Sequence, residues 1–244
     1  MTELYQYPPL ILGKLIKRYK RFLADIELET GAIITAHCPN TGPMTGVCTP
    51  GSLVQVSKSD NPQRKLAYTW EMIKIDSTWV GVNTSIPNRV IKLALEQQLF
   101  PELAGRYSNV RSEVPYGKDR KSRVDFLLTG DNSQASIYLE VKSVTLSLGK
   151  IALFPDTVTT RGQKHLQELT TLAPDAKSVM LYFINRRDCN VFAPSDLCDP
   201  KYGELLREAV AKGVEVLPYR FEITPQGISY LGLAKFLLRE PLLR

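Results

Sequence analysis

The sequence predicts a mixed α+β chain with two units, a small β-barrel in residues 1–84 and an α/β domain in residues 85–244. Short segments of alternating apolar and polar residues, separated by tight turns, fill the first part and predict strands. The residue pattern of the second part predicts a helix, three strands, a helix and a strand, in that order. With 244 residues, 43% of them hydrophobic, the chain can form a core in each unit.

Five strands are predicted in the first unit. The first is one long strand in the segment that begins at Gly13, where every second residue from Phe22 to Leu28 is apolar. The other four are predicted at 32–38, 52–57, 65–75 and 78–84. Five strands joined by tight turns favour a Greek-key barrel of the OB type, although strand count alone does not distinguish it from an SH3-like barrel.

Basic and aromatic residues are concentrated in the first barrel strand. OB-type barrels commonly bind single-stranded nucleic acids on an exposed strand face that combines such side chains. We therefore predict a nucleic-acid-binding surface formed by Lys14, Lys17, Arg18, Tyr19, Lys20 and Arg21. The alternative is a solvated basic strand with Tyr19 or Phe22 in the core.

The loop from His37 to Gly46 is rich in turn-forming residues, which predicts a fixed conformation. His37 has no second histidine and no obvious acidic partner nearby in the sequence. We interpret it as a hydrogen-bonded structural residue.

A β-hairpin is predicted from Ser122 to Lys142, with its turn between Thr129 and Ser136. If the pairing is symmetric about Asn132 and Ser133, Asp125 faces Glu140 and Arg123 faces Lys142. Two carboxylates directly opposite each other destabilise a sheet unless a positive charge lies between them. A divalent cation would supply that charge.

The spacing Asp-x14-Glu-x-Lys in this hairpin resembles the PD-(D/E)xK phosphodiesterase core. The resemblance implies that Asp125 and Glu140 bind Mg²⁺ or Mn²⁺ and that Lys142 orients the attacking water. We choose Glu113, on the preceding strand, as an assisting acid, with Glu96 as the second choice. The alternative is a solvated set of crossed salt bridges, which would add little stability.

The two helices of the second unit add further candidates. Asn88 is a plausible cap for a helix at 90–99, and Thr160 with Gln163 forms a capping-box pair for the second helix. The first turn of the second helix would attract phosphate, which makes nucleic-acid ligands of Arg161, Gln163 and Lys164. His165 could touch phosphate, although a surface or capping role is the alternative.

The composition narrows the functional classes. The net charge of +6 is compatible with a polyanionic partner. Four cysteines without a CxxC pair, with only two histidines, do not form the pattern of a structural zinc site. No apolar run approaches the roughly 20 residues that span a bilayer, and no signal peptide opens the sequence, so we expect a cytoplasmic location.

Longer blocks carry a more specific resemblance. They are RYKRFLAD (18–25), AHCPNTGPM (36–44), NPQRKLAYTWE (61–71), SRVDFLL (122–128), YLEVKSVTL (138–146) and FPDTVTTRGQKHL (154–166). On these blocks the chain resembles the sugar fermentation stimulation protein A family almost end to end. The resemblance implies a prokaryotic cytoplasmic protein that binds DNA with little sequence preference and has a regulatory part in sugar (maltose) metabolism.

Two functions therefore stay open at this level. One is a Mg²⁺-dependent phosphodiesterase acting on DNA, and the other is a non-catalytic DNA-binding regulator. The partner expected in both cases is DNA, single- or double-stranded, with neither a membrane nor an obligate protein partner. A sugar-responsive sensor is suggested only by the family name.

Overall fold

A computed structural model describes residues 2–117, 122–130, 135–172 and 176–241 of the chain. The helices are α1 (Ile86–Glu96), α2 (Thr160–Leu172) and α3 (Pro200–Ala211). The strands of the first part are β1 (Thr2–Gln6), β2 (Leu10–Tyr19), β3 (Leu23–Leu28), β4 (Ile33–His37), β5 (Leu53–Lys58), β6 (Tyr68–Ile75) and β7 (Thr78–Gly81). The remaining strands are β8 (Asn109–Tyr116), β9 (Ser122–Thr129), β10 (Ile137–Val144), β11 (Ser147–Leu148), β12 (Ile151–Phe154), β13 (Lys177–Ile184), β14 (Val191–Pro194), β15 (Glu215–Ile223), β16 (Gly227–Leu233) and β17 (Lys235–Phe236).

The predicted five-stranded barrel is confirmed. Strands β2, β3, β4, β6 and β5 form a closed ring, in which β4 pairs in parallel with β6 to complete the closure. Its core contains small and branched side chains around the fully buried ring of Trp70. Because alternate residues of each strand point inward, the barrel interior is filled by side chains.

The prediction of one long first strand is wrong, because the segment forms a hairpin of two strands, β2 and β3. The turn falls at Lys20 and Arg21, whose φ angles of 48° and 66° lie in the left-handed region. That region favours glycine and asparagine, so two basic residues carried no turn signal. The predicted strand at 78–84 lies outside the closed ring, since β7 pairs with β6 at the edge.

The second unit contains the predicted succession α1, β8, β9, β10, α2, β13, with the short strands β11 and β12 inserted between β10 and α2. Its seven-stranded sheet runs β1-β16-β15-β13-β10-β9-β8, with β13 parallel to both β10 and β15. Alternate residues of β13 point into different cores: Leu181 packs with α1, while Tyr182 packs with α2 and α3. The sheet is therefore covered by α1 on one face and by α2 and α3 on the other.

Two features of the sheets were not predicted. Strand β1, at the N-terminus, pairs with β16 in the large sheet, although the sequence interpretation placed residues 1–84 in the barrel unit. A separate four-stranded sheet, β11-β12-β14-β17, follows the hairpin. Both depend on short strands, and β1, β14 and β17 have partners that are distant in sequence, so period alone did not reveal them.

The barrel is attached to the large sheet at several points. Met72 of β6 lies in the core that α1 shares with the sheet. The N–H of Gly81 donates to the carbonyl of Asn185 at 3.0 Å, and the N–H of Met44 donates to Asp156 Oδ2 at 3.3 Å. In the part of the chain that the structure describes, the helices are too short or too polar to cross a membrane.

Candidate active site

The predicted hairpin register is confirmed up to the middle of the two strands. Leu128 pairs with Ile137, Leu127 with Tyr138 and Phe126 with Leu139. The turn residues Asn132 and Ser133 lie outside the described residues. Beyond Phe126 the ladder of β9 and β10 ends, and the next position along β9 is Asp125.

Asp125 occupies the place where the two strands separate. Its Oδ2 accepts a hydrogen bond of 2.7 Å from the N–H of Val141, in place of a regular strand pair. Its Oδ1 accepts a 2.8 Å hydrogen bond from the side-chain amide of Asn88 on α1. The carboxylate is thus held from both the sheet and the helix, with its orientation fixed.

Two sequence expectations near this point are corrected. Asn88 is not the cap of α1, because the helix begins at Ile86 and the N-cap residue is Ser85. The amide of Asn88 faces Asp125 instead. Arg123 is not paired with Lys142, nor Asp125 with Glu140, because the β9–β10 ladder ends at Phe126 and Leu139. Arg123 pairs only with Pro115 of β8.

Glu140 is the buried centre of the site, with only 3% of its surface exposed. Its Oε1 accepts a 2.7 Å hydrogen bond from Nζ of Lys142 and contacts Nδ1 of His165. Nζ of Lys142 also lies 3.0 Å from the same ring nitrogen. Among the described residues, Oε2 of Glu140 has no hydrogen-bond partner.

The environments of the two carboxylates push their pKa values apart. Burial and the charge of Glu140 raise the pKa of Asp125 to about 6, against the opposing hydrogen bonds from Val141 and Asn88 and the charge of Lys142. Burial also raises the pKa of Glu140, but His165 and Lys142 together outweigh it, so the pKa of Glu140 lies below its ordinary value. Closely spaced carboxyl groups with separated pKa values are typical of functional sites.

The chemistry of these donors suits a hard divalent cation. A buried carboxylate oxygen without a partner is costly, and Oε2 of Glu140 is such an atom. The charge of Glu140 also acts on the carboxylate of Asp125. No group of three or more His, Cys, Asp or Glu side chains suited to hold a metal is found among residues 2–117, 122–130, 135–172 and 176–241. Mg²⁺ commonly uses one or two carboxylates and takes its other ligands from water and phosphate.

The structure places the two other candidate acids away from these contacts. Glu113 lies on β8, its φ is 55° and its side chain is exposed. No hydrogen bond or ion pair within the described chain joins it to Asp125 or Glu140. Glu96 lies 3.7 Å from Lys92 in an i,i+4 ion pair on the surface of α1.

His165 was undervalued by sequence reasoning. It lies on α2, is 5% exposed and contacts both Glu140 and Lys142. The alternative of a surface position is therefore wrong. Nothing in the local sequence connects a helical histidine with a strand 25 residues earlier, and only the packing of α2 on the sheet brings them together.

The first turn of α2 differs from the predicted capping box. The cap is Thr159, whose Oγ1 accepts from the N–H of Gly162 at 3.1 Å. The amide of Gln163 donates to Asp199, at 3.0 Å to each carboxylate oxygen, so it ties α2 to the start of α3. Arg161 and Lys164 are exposed, and Lys164 lies 3.5 Å from Glu168.

The basic residues of the barrel divide into two groups. Nη2 of Arg18 donates to three backbone carbonyls, those of Arg21, Asn40 and Gly42, at 2.6 to 2.9 Å. Two neighbours are also bound within the chain: Nε of Arg21 donates to the carbonyl of Thr41, and the hydroxyl of Tyr19 donates to Asp25. The second group consists of the exposed side chains of Lys14, Lys17 and Lys20. The guanidinium of Arg18 therefore holds the 38–46 loop, and the exposed lysines are the side chains available to a ligand.

Known proteins resemble this chain over almost its whole length. The family model described as "Sugar fermentation stimulation protein RE domain" matches residues 85–227, and "SfsA N-terminal OB domain" matches residues 16–82. A protein named sugar fermentation stimulation protein homolog from Rippkaea orientalis is 70% identical over 236 residues, which cover 97% of this chain and 98% of that protein. The homolog from Synechocystis sp. is 65% identical over 98% of this chain and 100% of its own.

A solved structure is similar over the same extent. It is titled "The structure of Pyrococcus Furiosus SfsA in complex with Ca2+" and has a TM-score of 0.87 at 26% identity, covering 97% of this chain and 100% of that chain. Both family models match in the expected order, and the relatives align over almost their full length. The chain therefore belongs to the sugar fermentation stimulation protein family.

Proposed function

We propose that this chain is a DNA-binding protein of little sequence preference that hydrolyses phosphodiester bonds with the help of Mg²⁺ or Mn²⁺. The single observation that carries the proposal is Oε2 of Glu140, a buried carboxylate oxygen without a partner. The other oxygen of the same carboxylate, Oε1, accepts from Lys142, and the next residue, Val141, donates its N–H to Asp125 at the point where the two strands separate. A solvated lattice of salt bridges does not explain why such an atom is buried and left unsatisfied.

Asp125 and Glu140 would hold the cation. When bound, the cation would supply Lewis-acid stabilisation of a phosphate oxygen and make a bound water more acidic. The relative from Pyrococcus furiosus was solved with Ca²⁺, another hard cation that prefers oxygen ligands. This supports a cation site in the family without defining its residues in this chain.

The other residues of the site have roles that follow from their contacts. Lys142 is held by Glu140 on the same strand, so its ammonium group can neutralise phosphate charge or orient a water. Asn88 fixes the rotamer of Asp125. His165, on α2, contacts both Glu140 and Lys142 and fixes their positions relative to each other, so it is a positioning residue.

DNA contacts are assigned to exposed cations on both units. The barrel strand β2 and its turn present Lys14, Lys17 and Lys20, and α2 presents Arg161 and Lys164. Lysine and arginine contacts to phosphates position a nucleic acid without reading its sequence. Such contacts predict affinity that falls steeply with salt.

The decisive experiment is a cleavage assay on single-stranded, duplex and branched DNA with Mg²⁺ or Mn²⁺. Wild-type protein is expected to cleave at least one of these substrates, and Asp125→Asn and Lys142→Ala should each lose the activity. Matched controls are Glu208→Gln and Lys212→Ala, which make similar changes in an exposed ion pair on α3. Activity that persists in Asp125→Asn and Lys142→Ala would remove the proposed site.

A non-catalytic DNA-binding regulator is the second candidate, favoured by the ion pair that already occupies Oε1 of Glu140. It predicts salt-dependent DNA binding that needs no metal and no cleavage of any substrate. A pure preparation that binds DNA in the presence of Mg²⁺ or Mn²⁺ and cleaves none of the three substrates would select it.

A further inference from the structure

A pocket of about 310 Å³ lies in the seam between the barrel and α1. Its walls come from β1, from the ends of β4 and β5, from β6 and the segment before it, and from the first turn of α1. Its volume is at the lower end of the range for small-molecule sites. The pocket is therefore large enough for a group of nucleotide size.

One wall of the pocket carries positive charge. Arg64 and Arg89, from different units, line it, and both side chains are exposed. Within the described residues, neither guanidinium forms an ion pair, and the only hydrogen bond found for either is the one of 2.7 Å from Arg64 to the hydroxyl of Thr69. Most of their donor capacity is available to a ligand.

A buried carboxylate explains why the two arginines converge. Glu71 is 5% exposed and lines the same pocket. Its two oxygens accept hydrogen bonds from the hydroxyl of Ser57 at 2.6 Å and from the amide of Asn83 at 2.7 Å. Burial raises the pKa of Glu71, and the charges of Arg89 and Arg64 act against that rise. Because Glu71 is already hydrogen-bonded, it attracts the guanidinium groups without occupying their donors.

Part of the pocket lining is apolar and partly aromatic. Tyr5, Pro8, Pro39 and Ile86 contribute it. Arginine next to an aromatic and aliphatic wall is the combination that holds the phosphate and the base or sugar of a nucleotide. A free phosphate would need only the charged wall.

The pocket is close to the candidate active site along the chain. Arg89 lines the pocket, and the preceding residue, Asn88, donates to Asp125. Consecutive Cα atoms are about 3.8 Å apart. The pocket and the candidate active site therefore use adjacent residues in the first turn of α1.

We propose that this seam pocket binds one nucleotide of a single strand of DNA, with its phosphate on Arg64 and Arg89 and its base or sugar against Tyr5 and Pro39. A base paired in a duplex cannot enter a recess without unpairing, so the pocket selects single-stranded or locally opened substrate. This inference rests on the proposed function, because it names the strand form that reaches the site.

The first test is equilibrium binding of a labelled oligothymidylate in EDTA, with every variant made in the Asp125→Asn background so that no cleavage occurs. Arg64→Gln and Arg89→Gln should each weaken binding by about tenfold, as expected for loss of a charge-assisted hydrogen bond. Each should also reduce the slope of log affinity against log salt by about 1. Lys212→Gln, which removes one exposed charge on α3, should change neither quantity.

Binding of duplex DNA distinguishes a nucleotide pocket from general electrostatic attraction between the arginines and DNA. Affinity for a duplex of the same length should change by much less in Arg64→Gln and Arg89→Gln than affinity for the single strand. An equal loss for both forms would show that these arginines act only through net charge and would overturn the proposal. Unchanged single-strand affinity would overturn it as well. Circular dichroism of each variant checks that the fold is retained.

The second test distinguishes a nucleotide from a phosphate ion. Thymidine 5′-monophosphate should shift the side-chain Nε–H resonances of Arg64 and Arg89 in NMR spectra, and inorganic phosphate at the same concentration should shift them much less. Equal shifts would reduce the pocket to a phosphate site, and no shift with either probe would remove it; both results contradict the proposal.

The outcomes for this pocket and for hydrolysis are independent. If wild-type protein cleaves DNA, the arginine substitutions made in the wild-type background leave cleavage unchanged, and the same substitutions in the Asp125→Asn background leave single-strand binding unchanged, the pocket proposal fails and hydrolysis stands. If the arginine variants lose single-strand binding and wild-type protein cleaves nothing, the pocket stands and hydrolysis fails.

Discussion

At the scale of single residues, Asp125 has the most unusual environment. It is an acid whose pKa is about 6, faced by Glu140, Lys142 and Asn88. An unfolded aspartate has a pKa of about 3.9. Because the folded value is the higher one, the group binds more protons in the folded state between these two values, and stability falls as pH rises from about 4 to about 6. Above that range Asp125 is ionised in both states, and the free energy of unfolding is lowered by the whole difference between its folded and unfolded pKa values.

Replacing this carboxylate should therefore stabilise the metal-free protein. Asp125→Asn is expected to raise the free energy of unfolding at pH 7.5 by about 1–2 kcal/mol, after allowance for weaker hydrogen bonds. The gain should shrink as pH falls towards 4. Urea unfolding in EDTA at several pH values measures it.

Asp25 provides the control for that measurement. It lies on the barrel strand β3, and despite some desolvation its pKa is lowered by hydrogen bonds from Thr35 and Tyr19 and by Lys17. Its contribution to stability is present above the unfolded pKa and is lost as pH falls, so Asp25→Asn should not stabilise the protein at pH 7.5. A stability of Asp125→Asn that is equal to wild type and independent of pH would contradict the raised pKa.

A second prediction at this scale concerns His165. Removing its ring leaves Oε1 of the buried Glu140 with one donor fewer, so His165→Ala should lower the free energy of unfolding by about 1–3 kcal/mol. If the site is hydrolytic, Mg²⁺-dependent cleavage should fall about tenfold or more, while DNA affinity in EDTA stays unchanged.

The conservative variant separates positioning from packing. His165→Gln keeps a donor within reach of Glu140 and should recover part of the lost cleavage, whereas His165→Leu fills the space without a donor and should not. Equal cleavage by the glutamine and leucine variants would reduce His165 to a packing residue.

At the scale of elements, the sequence predicted strand pairing best where the two strands are periodic and lie close together in the sequence. The β9–β10 register followed from the symmetry of one hairpin, and Leu128 pairs with Ile137 as expected. The break of that ladder at Asp125 did not follow, because it depends on a hydrogen bond to Val141 and on Asn88 from another element. The role of His165 was missed for the same reason.

The β2–β3 hairpin shows how a basic side chain can be structural in an apparent DNA-binding stretch. Arg18 joins the hairpin turn to the 38–46 loop through carbonyls of Arg21, Asn40 and Gly42. Arg18→Ala should release that loop, and amide hydrogen exchange in residues 39–44 should become about tenfold faster. Hydrogen-exchange mass spectrometry measures the change.

Lys14, on the same strand, is the matched comparison. Its side chain is exposed, so Lys14→Gln should leave hydrogen exchange of the loop unchanged and weaken DNA binding in a salt-dependent way. If Lys14→Gln loosened the loop as much as Arg18→Ala did, the division of these basic residues into structural and ligand-binding groups would be wrong.

At the scale of the whole molecule, the two units share one core. Leu4 of β1, Met72 of the barrel and Ile86 of α1 belong to the same buried cluster. Strand β1 also completes the edge of the large sheet by pairing with β16. The residues before the barrel and those after it therefore belong to the same sheet and core. This arrangement couples the stability of the barrel to that of the sheet.

This coupling predicts a single cooperative transition. Leu4, 7% exposed, leaves a cavity in the shared core when shortened, so Leu4→Ala should lower the free energy of unfolding by about 2–4 kcal/mol. In a Trp79→Phe background, which removes the tryptophan packed against the shared core, Trp70 fluorescence reports on the barrel core and far-UV circular dichroism on the whole chain. Leu4→Ala should shift both midpoints together. Ile33→Ala, at a barrel position 68% exposed, is the control and should change stability by no more than about 0.5 kcal/mol. A barrel transition that stays at the wild-type midpoint while the dichroism transition moves would show that the two units unfold independently, and the shared core would then contribute to only one of them.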